Sequence, residues 1–238
     1  MKKIILLLAF CLSVGNLFAQ DANADKLREE GDAAMTAKNY PEVVAKYSEY
    51  LKLTNYEDES RIFNCAFAAY NAKKYDDAIK FYDMAIQKGY KADDAYVGKA
   101  MSLRSQDKAA DFTATVEAGL KANAQNANLE KLLYAYCMKK GQAAQKAGKT
   151  EEAEELFKDV LVVGNAKYKG NALYSLGVMF YNAGAKILAD ANPIATSDPD
   201  KYADAQMAKA KGYLEQAIAL NAADANSKKI LDAINAAK

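Results

Sequence analysis

The sequence contains no histidine and no tryptophan, and only three prolines and three cysteines in 238 residues. Without histidine there is no Ser-His-Asp or Cys-His arrangement, no imidazole base, and no histidine-ligated zinc or haem. No nucleophile stands beside a base and no metal-ligand spacing occurs, so the chain reads as non-catalytic, with no cofactor. Acidic and basic residues nearly cancel, for a formal charge of +1. A balance of that kind supplies no field to attract nucleic acid or an anionic membrane. What is abundant is alanine, about a fifth of the chain, well above ordinary usage. With so few prolines to break it, that composition favours helix. A length of 238 residues allows one or two domains.

Long hydrophobic runs are confined to the start. Lys2 and Lys3 precede an apolar stretch over residues 4–12, followed by Gly15 and Leu17-Phe18-Ala19. This is the order of a secretory signal peptide: a charged head, a short apolar middle and a small-residue cleavage site. Cleavage is expected after Ala19, which places the mature protein in the periplasm or outside the cell and turns its charge to −1 through loss of Lys2 and Lys3. The run is shorter than the roughly 20 residues a membrane helix needs, and no transmembrane segment is expected elsewhere. Cys11 follows Phe10, where a lipid-attachment signal wants a small residue, so a lipoprotein is not the reading adopted. Cys65 and Cys137 stand among apolar neighbours at helical spacing and read as buried free thiols rather than a disulfide.

The rest of the chain repeats itself. Shifted by thirty-five residues, Gly31 falls on Ala66, Ala34 on Ala69, Tyr40 on Tyr75, Tyr47 on Tyr82 and Leu51 on Ile86. Further copies start around Tyr96-Ala100-Leu103, Cys137-Gly141-Ala144 and Leu173-Leu176-Gly177-Phe180. Each copy holds a small residue where a paired helix must come close, and Tyr47, Tyr82 and Phe157 supply the bulk opposite. Asn39-Tyr40-Pro41 reads as a helix start, and Gly148-Lys149-Thr150 as a stop followed by a capping threonine.

This pattern resembles the tetratricopeptide repeat family, most clearly in Gly31 to Leu53, in Tyr75-Asp76-Asp77-Ala78 with Phe81-Tyr82 and Ala85-Ile86, and in Leu176-Gly177 with Phe180-Tyr181. The resemblance implies an all-α fold, an α-solenoid in which antiparallel helix pairs form a right-handed superhelix with a concave face. Residues 20–238 then form one repeat domain, with repeats at about 24–57, 59–91, 93–126, 128–164 and 170–222. An insertion at 185–206 is expected to lengthen the helices of the fifth repeat around a projecting loop, and a helix at 227–237 to cap the array.

The resemblance also implies a groove lined by the first helix of each repeat. Transferred position by position, it contains Arg28 and Asp32; Phe63, Asn64, Phe67, Tyr70 and Asn71; Val97, Met101 and Arg104; Met138, Gln142 and Gln145; and Tyr174, Val178, Tyr181 and Asn182. Aromatic rings and methionine offer contact area, while Asn and Gln satisfy both N–H and C=O of a peptide backbone. The bland reading of Phe63, Phe67 and Met101 is packing between repeats. Some family members clamp a terminal carboxylate; here Asp32, Asp94 and Gly98 occupy clamp positions, so an internal peptide segment or a folded protein is the expected partner. The rival reading is an assembly subunit of an envelope complex or homo-oligomer, docking through the 185–206 insertion and the last helix. Asp190, Asp198, Asp200 and Asp204 suggest a calcium loop less well than a helix start, with Asp198 as cap and Pro199 in the first turn.

Overall fold

The computed structural model describes residues 21–189 and 199–236; the signal-peptide residues and Cys11 lie outside them, as do Asp190 and Asp198. Among the described residues there is no strand. The helices are α1 (21–36), α2 (Tyr40–Leu53), α3 (Glu59–Asn71), α4 (Tyr75–Lys88), α5 (Ala92–Ser105) and α6 (Ala109–Ala122). They continue with α7 (Ala127–Lys146), α8 (Thr150–Asp159, then a short 3-10 turn), α9 (Ala166–Ala189), α10 (Pro199–Leu220) and α11 (Ala225–Ala236). These are five helix pairs and a closing helix, the all-α repeat class that the pattern implied. The chain forms two compact units, Met1–Val116 and Glu117–Lys238, divided within α6.

The turn inside the first four pairs is the same turn four times. Lys38, Lys73, Asp107 and Gly148 all have positive φ, at 56°, 60°, 56° and 75°. In each case the next N–H reaches back five residues: Asn39 to Ala34 O (2.9 Å), Lys74 to Ala69 O (2.8 Å), Lys108 to Leu103 O (3.1 Å) and Lys149 to Ala144 O (3.0 Å). This closure satisfies carbonyls that a helix end would otherwise orphan. Only Gly148 adopts the left-handed conformation without a steric penalty. Thr150 does not cap α8 as expected; it is the first helical residue, because the turn closes through Lys149. Side-chain caps occur instead at Asp58, Asn126, Asn165 and Asp224, each accepting an N–H three residues on.

The small residues seat the bulky ones. Gly31 lies against the Tyr47 ring, and a Cβ built on Gly141 would stand 2.6 Å from Phe157 Cε1. One built on Gly177 would stand 2.7 Å from Leu214. Tyr82 adds a feature the alignment did not show: it packs over Gly98, the glycine of the following pair. Gly98, transferred as a clamp position of the groove, is therefore a packing residue. Cys65 and Cys137 are buried and free, and burial pushes both thiols up to about 12.

Candidate binding face

In the N-terminal unit the first helices are α1, α3 and α5. Phe63 turns inward: its ring meets Tyr82 and Tyr90 edge-on at 5.8 and 6.2 Å, and the Lys91 ammonium lies 5.1 Å from it. Phe67, one turn on, stays 42% exposed with its ring edge-on to Tyr40 at 6.0 Å. Tyr70 is half-buried and tilted against Tyr75 at 5.9 Å. Asn71 is exposed; its Nδ2 donates to the Phe67 carbonyl at 2.8 Å, and its carboxamide oxygen has no partner among the described residues. Asn64 and Met101 are half-buried, and Arg104 is exposed. Four-residue spacing puts all three on one stripe of α3, and the neighbours separate them: Tyr82 and Tyr90 draw Phe63 inward, while Phe67 and Asn71 stay exposed.

Arg28 is half-buried and paired with Asp25 at 3.1 Å. Asp32 is not the loose carboxylate that the sequence suggested. Tyr47 donates to it at 2.6 Å, and Arg61 reaches it through Nε at 3.3 Å and Nη2 at 2.8 Å. Burial opposes its ionisation, but the bonds from Arg61 and Tyr47 outweigh that and hold the carboxyl below its usual range. Arg61 also approaches Asp58, which accepts from the Tyr50 hydroxyl at 3.1 Å. Sequence reasoning missed Arg61, whose partner Asp32 lies 29 residues away. Asp58, by contrast, carried a readable signal as an aspartate just before a helix.

In the C-terminal unit Met138 is buried, Gln142 and Asn182 are exposed, and Gln145, Tyr174, Val178 and Tyr181 are half-buried. Tyr181-Asn182 therefore repeats the arrangement of Tyr70-Asn71, a half-buried ring beside an exposed amide. Across the α7–α9 contact, Tyr134 and Tyr168 stack at 4.2 Å, and Asn171 donates to the Tyr134 hydroxyl at 2.8 Å. Leu188 and Tyr202 are exposed near the far ends of α9 and α10.

At the end of α8, burial and the neighbouring Glu117 and Glu155 push the Asp159 carboxyl up to about 6. The folded protein then holds a proton that the unfolded chain, with a carboxyl near 3.8, has lost. This group's contribution to stability is present below pH ~4 and disappears as pH rises through ~6. Asp159→Asn should raise Tm at pH 8 and flatten that slope, an effect of about 1 kcal/mol after allowing for exposure. Thermal melts between pH 4 and 8 check it; a slope unchanged in the variant would refute the assignment.

Among the described residues no group of three or more acidic or cysteine side chains could hold a metal ion, and no helix is long and apolar enough to cross a membrane. No family model matches the chain. The crystal structure of a TPR repeats protein from Bacteroides fragilis shares 42% identity with it at a TM-score of 0.81, over 90% of this chain and 99% of that one. Hsp70-Hsp90 organizing protein 1 of Glycine max is 30% identical over 154 residues, 61% of this chain. This chain spans about a quarter of that relative's length, 26%. The chain belongs to the tetratricopeptide repeat family.

Proposed function

We propose that the protein is a non-catalytic interaction scaffold, exported to the periplasm, which binds a peptide segment or a folded envelope protein on the faces of its first helices. One observation carries the reading: Phe67, a large aromatic on a first helix, remains 42% exposed, with the solvent-facing carboxamide of Asn71 on the same stripe. Such a pair offers apolar contact area together with an acceptor for a peptide N–H. The helices bearing it are held by hairpin packing, so the partner alone bears the cost of ordering. Export rests on the Lys2–Ala19 pattern, and the protein-binding role accords with the name of the organizing protein.

A photo-crosslinking amino acid at position 67 should capture a partner in the native envelope. For that partner, once identified, Phe67→Ser with Asn71→Ala should weaken binding about tenfold or more. Tm should be nearly unchanged, since both side chains are exposed. Tyr70 is left intact because its ring packs against Tyr75. Undiminished affinity in the double variant would refute the assignment.

A further inference from the structure

Helix α9 has three glycines, and packing accounts for two. A Cβ on Gly177 would stand 2.7 Å from Leu214, and one on Gly184 would stand 3.0 Å from Met207 Cε, with the Ala203 carbonyl at 3.2 Å. Gly170 differs: nothing lies within 4 Å of where its Cβ would be. A glycine inside a helix costs about 0.5–1 kcal/mol relative to alanine, and no neighbour here requires one. What adjoins it is a cleft of about 460 Å³, a volume typical of small-ligand sites. Its walls come from the first turns of α9, the last turn of α10 and the turn leading into α11.

The polar groups around this cleft divide into engaged and free. Asp224 is engaged in starting α11: Oδ1 accepts from the Asn226 and Ser227 N–H groups, each at 3.1 Å, and Oδ2 from the Ser227 hydroxyl at 2.6 Å. Asn171 serves Tyr134, and Asn221 Oδ1 accepts from the Ala223 N–H at 3.1 Å. The Lys167 ammonium, the Tyr174 hydroxyl, the Asn221 NH₂ and the Asn226 carboxamide have no partner among the described residues. Each can donate, and Lys167 is the one ammonium of this wall, while the Asp224 carboxylate beside it keeps its charge but has both oxygens committed to the start of α11. Beside them, Leu220 is 40% exposed and contributes apolar surface.

We propose that this cleft binds a carboxylate on a short apolar stem. Lys167 pairs with the charge, Asn221, Asn226 and Tyr174 donate to its oxygens, and the stem lies between Leu220 and the bare backbone at Gly170. A charge-assisted, multiply bonded carboxylate suits a wall with one cation and several donors, because the Asp224 oxygens on that wall are taken up by the start of α11. Two sources share this chemistry, a free small acid and an acidic residue within a peptide. The site lies in a different unit from Phe67 and holds whether or not that face binds a partner.

The test is a ¹H–¹⁵N chemical-shift titration of the full chain with glutarate, with N-acetyl-Leu-Glu-amide and with its neutral Leu-Gln counterpart. Shifts are expected in residues 166–174 and 217–226, with the Gln peptide bound about tenfold more weakly than the Glu peptide. Tighter binding of glutarate would assign the free acid; tighter binding of the peptide, an acidic protein segment. Lys167→Gln should weaken the better ligand by about tenfold. Gly170→Phe should abolish its shifts while circular dichroism stays unchanged, and Gly170→Ala serves as a folding control. Phe67→Ser should leave the titration untouched. The inference falls if millimolar ligand moves no peak in these segments. It also falls if the Gln peptide binds equally well, or if folded Gly170→Phe protein still responds.

Discussion

Replacing Glu130 with alanine is expected to lower the unfolding free energy by about 2–3 kcal/mol, and replacing it with glutamine to recover most of that loss. Glu130 sits on α7 and is only 7% exposed. Its Oε1 accepts the backbone N–H groups of both Gly164 and Asn165, the second at 3.0 Å, and so ties α7 to the entry of α9 one repeat further along. A hydrogen bond to a charged acceptor contributes about 1.5–3 kcal/mol, and alanine forfeits two of them. Gly164 and Asn165 are exposed, so water reaches the abandoned donors and limits the loss. Glutamine keeps an oxygen in the same place but without the charge. Urea denaturation of the three proteins decides the matter; an alanine variant within about 0.5 kcal/mol of the parent would show the clasp to be ornamental.

Gly141→Val is expected to cost about 3 kcal/mol. The added Cβ alone would stand 2.6 and 2.9 Å from the Phe157 ring and 3.1 Å from its para carbon. Phe157 is fully buried, so the ring cannot swing into solvent to make room. A flexible side chain would yield to the intrusion; a flat ring enclosed on all sides transmits it to both helices. Gly141→Val combined with Phe157→Leu should recover part of the loss, and that coupling, read from a double-mutant cycle of melts, separates a steric clash from a change in helix propensity. Additive effects of the two substitutions would contradict the packing assigned to this pair.

Both residues show how far the sequence can be read. The fold was legible because packing repeats: Gly31 under Tyr47 and Gly141 under Phe157 obey one rule at one spacing, and a rule written several times can be recognised once. The site was legible only as a stripe. Four-residue spacing places Phe63, Phe67 and Asn71 on one stripe of α3, but whether a ring turns inward depends on what stands opposite. Tyr82 and Tyr90 claim Phe63, while Phe67 meets Tyr40 at its edge and stays exposed. Glu130 and Arg61 were not legible at all. Each acts across about one repeat length, 34 residues from Glu130 to Gly164 and 29 from Arg61 to Asp32, through partners with no pattern of their own. Gly98 misled for a related reason: it occupies a groove position by count, and a packing position because Tyr82 needs somewhere to lie.

The reversal of chain direction inside the first four helix pairs is written in main-chain geometry rather than in residue identity. Two lysines, an aspartate and a glycine all serve at the pivot, because the carbonyl five residues behind does the holding. A device of that kind lets the alphabet drift while the architecture stays put. Kinship among such chains is then better preserved in their coordinates than in their spelling at the corners, and a reader searching the text for a glycine at every bend would recognise one corner in four.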